Sequence, residues 1–234
     1  MKKILAFGIL TLACISSIFA GDVAEYCDLG FSQDGKYFTF AQYGVKDKTF
    51  EPFAEIYCVD VQKNDYVENG VFKAKPDLAK SVKGGKAVFD ELYAKNENFI
   101  KNYSGKKANL EQTLYIRGPE TKNSSDQIVF KDFNNSTEDN EIFYYINLVK
   151  NIQKGKNLSS SFFISVDRKD EKGNVISRQV AGNPDFMRKN ISDYSIRRII
   201  TDESGKYLIF EVEKKLEDES GTSFRYMVET LELK

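Results

Sequence analysis

One ten-residue pattern occurs at both ends of the chain and constrains its fold more than any other feature. Residues 31–40 read FSQDGKYFTF, and residues 201–210 read TDESGKYLIF. In both copies, alternating apolar residues flank a polar stretch that contains a glycine, and glycine accepts the positive φ that tight turns require. Each copy therefore predicts a β-hairpin, with Gly35 and Gly205 in equivalent turns.

The pattern continues beyond each hairpin into a third predicted strand. AEIYCVDVQ follows the first hairpin, and FRYMVETLEL follows the second. Both segments alternate apolar and polar residues, which is typical of half-buried strands. The sequence therefore predicts two blade-like, three-stranded units, at about residues 25–67 and 195–234.

The chain between these units adds one helix and further strands. The helix is predicted near residues 86–103, where apolar residues recur at helical spacing between flanking glycines. Alternating segments predict the strands LEQTLYIRG, DQIVFKDF, EIFYYINLVKNI, SSSFFISVDRK and VISRQVAG. We therefore predict a mainly β fold class, with antiparallel meander sheets forming a partial propeller or a sandwich, in a single domain over residues 21–234.

Two resemblances rest on the first unit. GFSQDGKYFTF followed by IYCVDV resembles the blade signature of TolB-like β-propellers, in which a strand, a D-G-K turn, a second strand and an I-Y-x-x-D strand recur. Residues 28–67, with the N-terminal segment before them, resemble a family of predicted secreted bacterial proteins known only as a domain of unknown function. That second resemblance implies an envelope or secreted protein and brings no catalytic residues.

Residues 1–20 have the layout of a secretory signal peptide. Lys2 and Lys3 precede an apolar run that ends at Ala20. We predict cleavage after Ala20 and export to the periplasm or the exterior. Lipoprotein cleavage at Cys14 is the weaker alternative, because the apolar run continues beyond that residue.

The exported part of the chain is weakly acidic. The whole chain has 34 basic and 35 acidic residues, and removing the signal peptide takes away Lys2, Lys3 and no acid, so the net charge becomes −3. Such a surface does not attract nucleic acid. No later stretch is apolar enough for a membrane span after signal cleavage. The expected partner is an unknown envelope protein or ligand.

Cys27 and Cys58 are the two cysteines left after cleavage. An oxidising compartment favours a disulfide between them. The predicted meander opposes it, because a whole strand between the two cysteines separates their Cα atoms by about 9.6 Å, beyond the ~7 Å limit for a bridge. The two predictions therefore depend on each other: the predicted strand order excludes the disulfide, and a disulfide would require another strand order around Cys27.

The chain has no histidine, which excludes Ser-His and Cys-His nucleophile pairs and histidine metal sites. Ser104 and Lys107 have the spacing of a Ser-Lys dyad, but a polar helix end is the favoured interpretation. Gly84-Gly85-Lys86 could present N–H groups to an anion, although helix initiation is favoured.

The remaining candidates are an acidic loop and two aromatic clusters. The loop from Asp132 resembles a calcium loop but lacks its glycine and its last carboxylate, so solvated turns are favoured over a metal site. Phe143-Tyr144-Tyr145 and Phe162-Phe163 could line a ligand groove, with strand core as the default interpretation.

These patterns favour an exported, non-enzymatic binding or scaffolding protein of the bacterial envelope, without a cofactor. The alternative is a histidine-free envelope hydrolase that uses paired carboxylates or a Ser-Lys dyad. A deep pocket with convergent carboxylates, or Ser104 beside a buried lysine, would favour the hydrolase.

Overall fold

The computed structural model describes residues 22–75, 84–118, 127–133, 135–155, 157–219 and 221–234. These residues are mainly β, as predicted, and they contain one helix, α1 (Gly84–Ile100). Their strands are, in chain order, β1 (Asp22–Val23), β2 (Glu25–Phe31), β3 (Tyr37–Val45), β4 (Pro52–Asp60), β5 (Asp65–Lys73), β6 (Thr113–Ile116), β7 (Gln127–Lys131), β8 (Ile142–Gln153), β9 (Ser159–Asp170), β10 (Val175–Ala181), β11 (Arg188–Lys189), β12 (Ile191–Thr201), β13 (Tyr207–Asp218) and β14 (Gly221–Glu232).

The N-terminal sheet is an antiparallel meander in the order β2-β3-β4-β5. Its first three strands are those that the sequence predicts. The fourth strand, β5, extends beyond the predicted end of the unit at residue 67. Asn69-Gly70, a dipeptide typical of turns, lies inside β5, where Asn69 has a φ of 56° and the pairing with β4 shifts register. A local bulge thus replaces the turn that such a dipeptide ordinarily forms.

The C-terminal sheet has the order β1-β14-β13-β12-β6. Its centre is the predicted meander β12-β13-β14, and β6 adds to β12 antiparallel. The two-residue strand β1 pairs in parallel with β14, Asp22 opposite Ser223. The start of the described chain therefore joins the sheet built by its end.

The third sheet has the order β10-β9-β8-β7, with β11 also paired to β9. It contains the long predicted hairpin of β8 and β9, whose twelve residue pairs run in continuous antiparallel register. Such long strands need burial on at least one face, and alternate residues of both strands supply it.

Three hydrophobic clusters stack the elements into four layers. Helix α1 packs on the outer face of the N-terminal sheet, through Val88 and Phe89 against Ala41 and Ile56. The inner face of that sheet packs on the C-terminal sheet. The other face of the C-terminal sheet packs on the third sheet. Stacked antiparallel sheets match the predicted partial propeller or sandwich.

The helix approaches the N-terminal sheet closely at its first turn. A Cβ on Gly85 would lie 2.5 Å from the carbonyl oxygen of Gly44 on β3. Only glycine permits this separation. The glycine pair before the helix therefore serves packing, in agreement with the favoured interpretation of that motif.

Candidate ligand-binding site

Strand β14 has a free edge, because β1 covers only Ser223 and Phe224. Beyond them, side-chain amides from the N-terminal sheet replace a neighbouring strand. The Tyr226 N–H donates to Gln42 Oε1 at 2.8 Å, and the Thr230 N–H donates to Asn64 Oδ1 at 2.7 Å. These two amides cap the edge at two alternate positions.

Val228 lies between the two capped residues. In an antiparallel ladder, alternate residues direct their backbone groups toward the same side. The N–H of Val228 therefore points outward like those of Tyr226 and Thr230. It has no hydrogen-bond partner among the described residues, so one backbone donor on this edge is unused.

The open position lines a cavity of about 520 Å³. One wall is the edge of β14, a second comes from β4 and the β4–β5 turn, and a third is the segment between β10 and β11. Small-molecule sites in proteins commonly have volumes of roughly 300–1,000 Å³. The cavity therefore has the size of a ligand site, at the junction of all three sheets.

Lys214 on β13 lines the same cavity. Its ammonium group makes no hydrogen bond and no ion pair with the described residues, although the side chain is largely buried. Burial lowers the pKa of Lys214 to about 8, and the negative charge of Glu55 opposes the shift. A buried, unpaired cation costs free energy, so a ligand anion at this position would relieve the cost.

Glu229 on β14 supplies a buried carboxylate at the cavity wall, with 5% of its surface exposed. Its Oε2 accepts a hydrogen bond from Asn64 Nδ2 at 2.6 Å, and Arg188 Nη2 lies 3.5 Å from its Oε1. Burial raises the pKa of Glu229, while the Asn64 hydrogen bond and the Arg188 charge oppose that shift. Unlike Lys214, this carboxylate has partners within the protein.

Asn64 holds two walls of the cavity together. It lies in the β4–β5 turn with a φ of 53°, which is unusual for a residue other than glycine. From there its side chain contacts both the Thr230 N–H and the Glu229 carboxylate. The turn thus positions one side chain that caps the β14 edge and orients a cavity carboxylate.

The rest of the lining combines the charged or polar side chains of Lys63, Asp65, Asn183 and Arg188 with apolar and aromatic ones. Met227 is buried, whereas Tyr66 is 45% exposed and Phe186 is 58% exposed. The Arg188 guanidinium stacks over Phe186 with 4.8 Å between its central carbon and the ring centroid. This combination suits a ligand with an anionic group and an apolar body.

Residues 39–232 match the family model described as "Predicted secreted protein (DUF2259)". The chain belongs to this family. The predicted family of secreted proteins is thereby confirmed, whereas the TolB-like resemblance is confined to the blade-like units. Comparison with the curated proteins and with the solved structures gives no match.

Within this DUF2259 protein, the predicted glycine turns lie away from the ligand cavity. Gly35 has a φ of 71° and Gly205 a φ of 69°. Each donates its N–H to the residue three positions earlier, Ser32 or Asp202, at 3.0 Å. Both turns line a separate cavity of about 160 Å³.

The polar groups of that smaller cavity are used by the turns themselves. Ser32 Oγ donates to Asp34 Oδ1 at 2.7 Å and accepts from the Tyr37 N–H. In the second turn, Asp202 accepts from the Tyr207 N–H and from Ser204. Serine and aspartate exchange places between the two turns, and their hydrogen bonds stabilise backbone instead of facing a ligand.

Cys27 and Cys58 lie on β2 and β4, with β3 between them, and both thiols are free. Cys27 pairs with Ala41 and Cys58 with Thr39, so the two cysteines are also offset along β3 by two residues. Burial raises the pKa of both thiols. This placement supports the unbridged alternative.

Ser104 and Lys107 have no contact with each other. The Ser104 hydroxyl donates to the Ile100 carbonyl at 2.9 Å, at the end of α1, and Lys107 is exposed. The pair therefore has the geometry of a polar helix end. The cavity lysine, Lys214, lies elsewhere.

The acidic loop and the aromatic clusters also serve structure. Asp132 is buried and accepts from Arg168 Nη2 at 3.0 Å and from Asn135. Among the residues that the structure describes, no group of three or more acidic or cysteine side chains is arranged to hold a metal ion. Tyr144 and Phe162 lie in the core between two sheets, whereas Phe143, Tyr145 and Phe163 alternate onto the opposite, half-buried face of the third sheet.

Lys214 was not among the site residues predicted from the sequence, although the sequence contains a signal for it. In KYLIFEVEKKL, the alternation that places Leu208, Phe210, Val212 and Leu216 on one face also places Lys214 there. A lysine at a core position of an alternating strand is an exception that calls for a reason. No comparable local signal indicates that the β14 edge stays free.

Among the described residues, no helix has the length and apolar character to cross a bilayer. The signal peptide predicted over residues 1–20 lies outside the described residues.

Proposed function

We propose that this protein is an exported, non-enzymatic binding protein of the bacterial envelope, and that it takes a small anionic ligand in the cavity beside β14. Membership of a family of predicted secreted proteins supports export. The proposed ligand has one anionic group and an apolar body, in keeping with the cavity lining.

The unpaired ammonium of Lys214 carries the proposal. The neighbouring cations already have acidic partners: Lys73 contacts Glu55 at 2.9 Å, and Arg225 contacts Asp22 at 2.6 Å. Lys214 has no such partner in the described part of the chain. A hydrogen bond to a charged group contributes about 1.5–3 kcal/mol to binding, so this one residue can dominate the affinity.

The Ser-Lys form of the hydrolase alternative has less support. The two members of its Ser-Lys dyad, Ser104 and Lys107, make separate contacts with the helix end and with solvent. Such a mechanism requires a nucleophile within hydrogen-bond reach of its base. Binding is therefore the function that we propose.

The test uses the fluorescent aromatic anion 1-anilinonaphthalene-8-sulfonate and the protein without residues 1–20. We expect saturable binding to one site, and we expect Lys214→Met to weaken it about 10- to 100-fold, the equivalent of 1.5–3 kcal/mol. Fluorescence titration measures both affinities.

The matched control is Lys215→Met, which changes the next residue on the same strand. Lys215 lies on the opposite face and pairs with Glu217 at 2.6 Å. Its variant should bind the probe like the unaltered protein. Equal weakening by both substitutions, or no saturable binding to the unaltered protein, would refute the proposal.

A further inference from the structure

We propose that the ligand is a short peptide bound by its C-terminus, with its carboxylate on Lys214 and one of its residues paired with the backbone of Val228. This inference rests on the proposed function, because it names the ligand class of the same cavity.

The free edge of β14 supports a peptide ligand. Val228 offers an outward N–H in the cavity wall, and strand edges bind extended peptides through such backbone groups. A peptide carbonyl is the kind of acceptor that this N–H would meet in an added strand. A ligand that lacks amide groups would leave the donor unpaired, at the cost of a buried, unsatisfied hydrogen-bond group.

The caps on either side of Val228 limit the peptide to a short one. Gln42 and Asn64 already accept from the N–H groups two residues before and two residues after Val228. A long added strand would have to displace both amides. Pairing at one residue only is compatible with the structure as it is, so a long β-strand partner is disfavoured.

The charge of the cavity favours the C-terminus of the peptide over its N-terminus as the end that binds. Among the described cations of the cavity wall, Lys214 has no acidic partner, whereas Lys63 pairs with Asp60 and Arg188 lies beside Glu229. A C-terminal carboxylate complements an unpaired ammonium group, and carboxylate–ammonium hydrogen bonds are among the stronger ones. An N-terminal amine would place a second cation beside Lys214 and is therefore disfavoured.

The walls of the cavity indicate the type of terminal residue. Tyr66, Phe186 and Met227 present aromatic and thioether groups around the charged and polar positions. An apolar side chain buries its surface against them. The expected ligand thus ends in an apolar residue such as phenylalanine or leucine.

The experiment compares three probes by isothermal titration calorimetry: the tripeptide Gly-Ala-Phe as the free acid, the same tripeptide as its C-terminal amide, and octanoate. We expect the acid to bind at least tenfold more tightly than either of the other probes. Lys214→Met should remove the difference between acid and amide, and Lys215→Met should keep it.

The pH dependence gives an independent readout. Binding should weaken as the pH rises through about 8, the pKa that burial imposes on Lys214, because only the ammonium form attracts a carboxylate. The Lys214→Met profile should be flat over this range. The charged and titratable groups around Lys214 and its cavity are Glu55, Lys63, Asp65, Tyr66 and Lys73 from the N-terminal sheet and its β4–β5 turn, Arg188 from β11, and Arg225 and Glu229 from β14.

The outcomes separate this inference from the proposed function. Equal affinities for acid and amide, or tighter binding of octanoate, would overturn the peptide assignment, while binding of the anilinonaphthalene probe at Lys214 would keep the broader proposal. Failure of all probes would overturn both.

Discussion

The glycines of the two repeated turns are single positions where backbone conformation controls stability. Gly35 has a φ of 71°, and a Cβ added there would meet no heavy atom within 4 Å. The cost of Gly35→Ala therefore comes from the left-handed conformation alone, at about 1–2 kcal/mol. We expect Gly35→Ala and Gly205→Ala each to lower the free energy of unfolding by about that amount in urea denaturation.

Gly155→Ala is the control for this prediction. Gly155 also has open space around its Cα, and its φ is not in the left-handed region. That variant should stay within about 0.5 kcal/mol of the unaltered protein. An equally small effect of Gly35→Ala would mean that the turn has relaxed and that the repeat does not depend on glycine.

A second prediction at the residue scale concerns Glu211, whose protonation should make the free energy of unfolding depend on pH. It faces the layer between two sheets, where burial raises its pKa to about 7 and the nearby Arg198 opposes the shift. Arg198 donates to Asp28 Oδ2 at 2.6 Å, and the other oxygen of Asp28 is buried without a partner. Arg198 therefore interacts with both carboxylates, and Arg197 adds a second positive charge near Glu211.

The direction of the pH dependence follows from the protonation of Glu211 in the folded and the unfolded state. Between the ordinary pKa of 4.5 and the folded value of about 7, the folded protein keeps a proton on Glu211 that the unfolded chain releases. The stability contributed by the protonated group is thus full below pH 4.5 and is lost as the pH rises toward 7.

Glu211→Gln should remove this dependence and should be more stable than the unaltered protein at pH 8, by roughly 1–3 kcal/mol. Urea denaturation at pH 5 and pH 8 measures the change. Glu171→Gln, at an exposed turn position, should follow the unaltered protein at both pH values. Parallel curves for Glu211→Gln and the unaltered protein would contradict the prediction.

At the scale of elements, the meander β2-β3-β4 decides the state of the cysteines. Two strand spacings place Cys27 and Cys58 about 9.6 Å apart across the sheet, before their offset along the strands is added. A bridge tolerates Cα atoms only up to ~7 Å apart. We therefore expect both thiols to remain free even in an oxidising compartment.

Alkylation of the exported protein, denatured without a reducing agent, should add two alkyl groups, as measured by intact mass. The same treatment after reduction should give an identical mass. An unreduced protein that takes up no alkyl group would show a disulfide and would require a different strand order around Cys27.

At the scale of the whole molecule, we propose that residues 21–234 form a single domain. The hydrophobic clusters that join the N-terminal sheet to the C-terminal sheet, and the C-terminal sheet to the third sheet, support this proposal. Pairing of β1 with β14 also links the two ends of the described chain. A single urea transition, coincident for tyrosine fluorescence and circular dichroism, is the expected result; two separate transitions would contradict it.

The predicted signal peptide also predicts the first residue of the mature chain. Cleavage after Ala20 should leave Gly21 as the N-terminus, because the apolar run ends there and polar sequence begins. N-terminal sequencing of the protein recovered from outside the cytoplasm tests this. A lipidated Cys14 or a retained Met1 would show a different route.

Local patterns in the sequence were sufficient for most of the secondary structure. Period-two alternation predicted the strands of all three sheets except β1, β5 and β11, and helical spacing predicted α1, because each pattern depends on neighbours a few residues away. The turns at Gly35 and Gly205 are local as well. Strand β5 was missed because its Asn69-Gly70 dipeptide has the chemistry of a turn and tertiary pairing places it in a bulge.

The candidate site depended on tertiary structure. Alternation alone placed Lys214 on the apolar face of β13, but it carried no information on what covers that face at residue 214. The cavity arises because the Asn64 turn and the Arg188 segment, far apart in sequence, both reach the uncovered edge of β14. The sequence by itself determined most of the segments that become strands, helix and turns, because those patterns are local. The order of those strands in three stacked sheets, and hence which edge stayed open, was decided by packing between distant segments, for which a single sequence has no local signal.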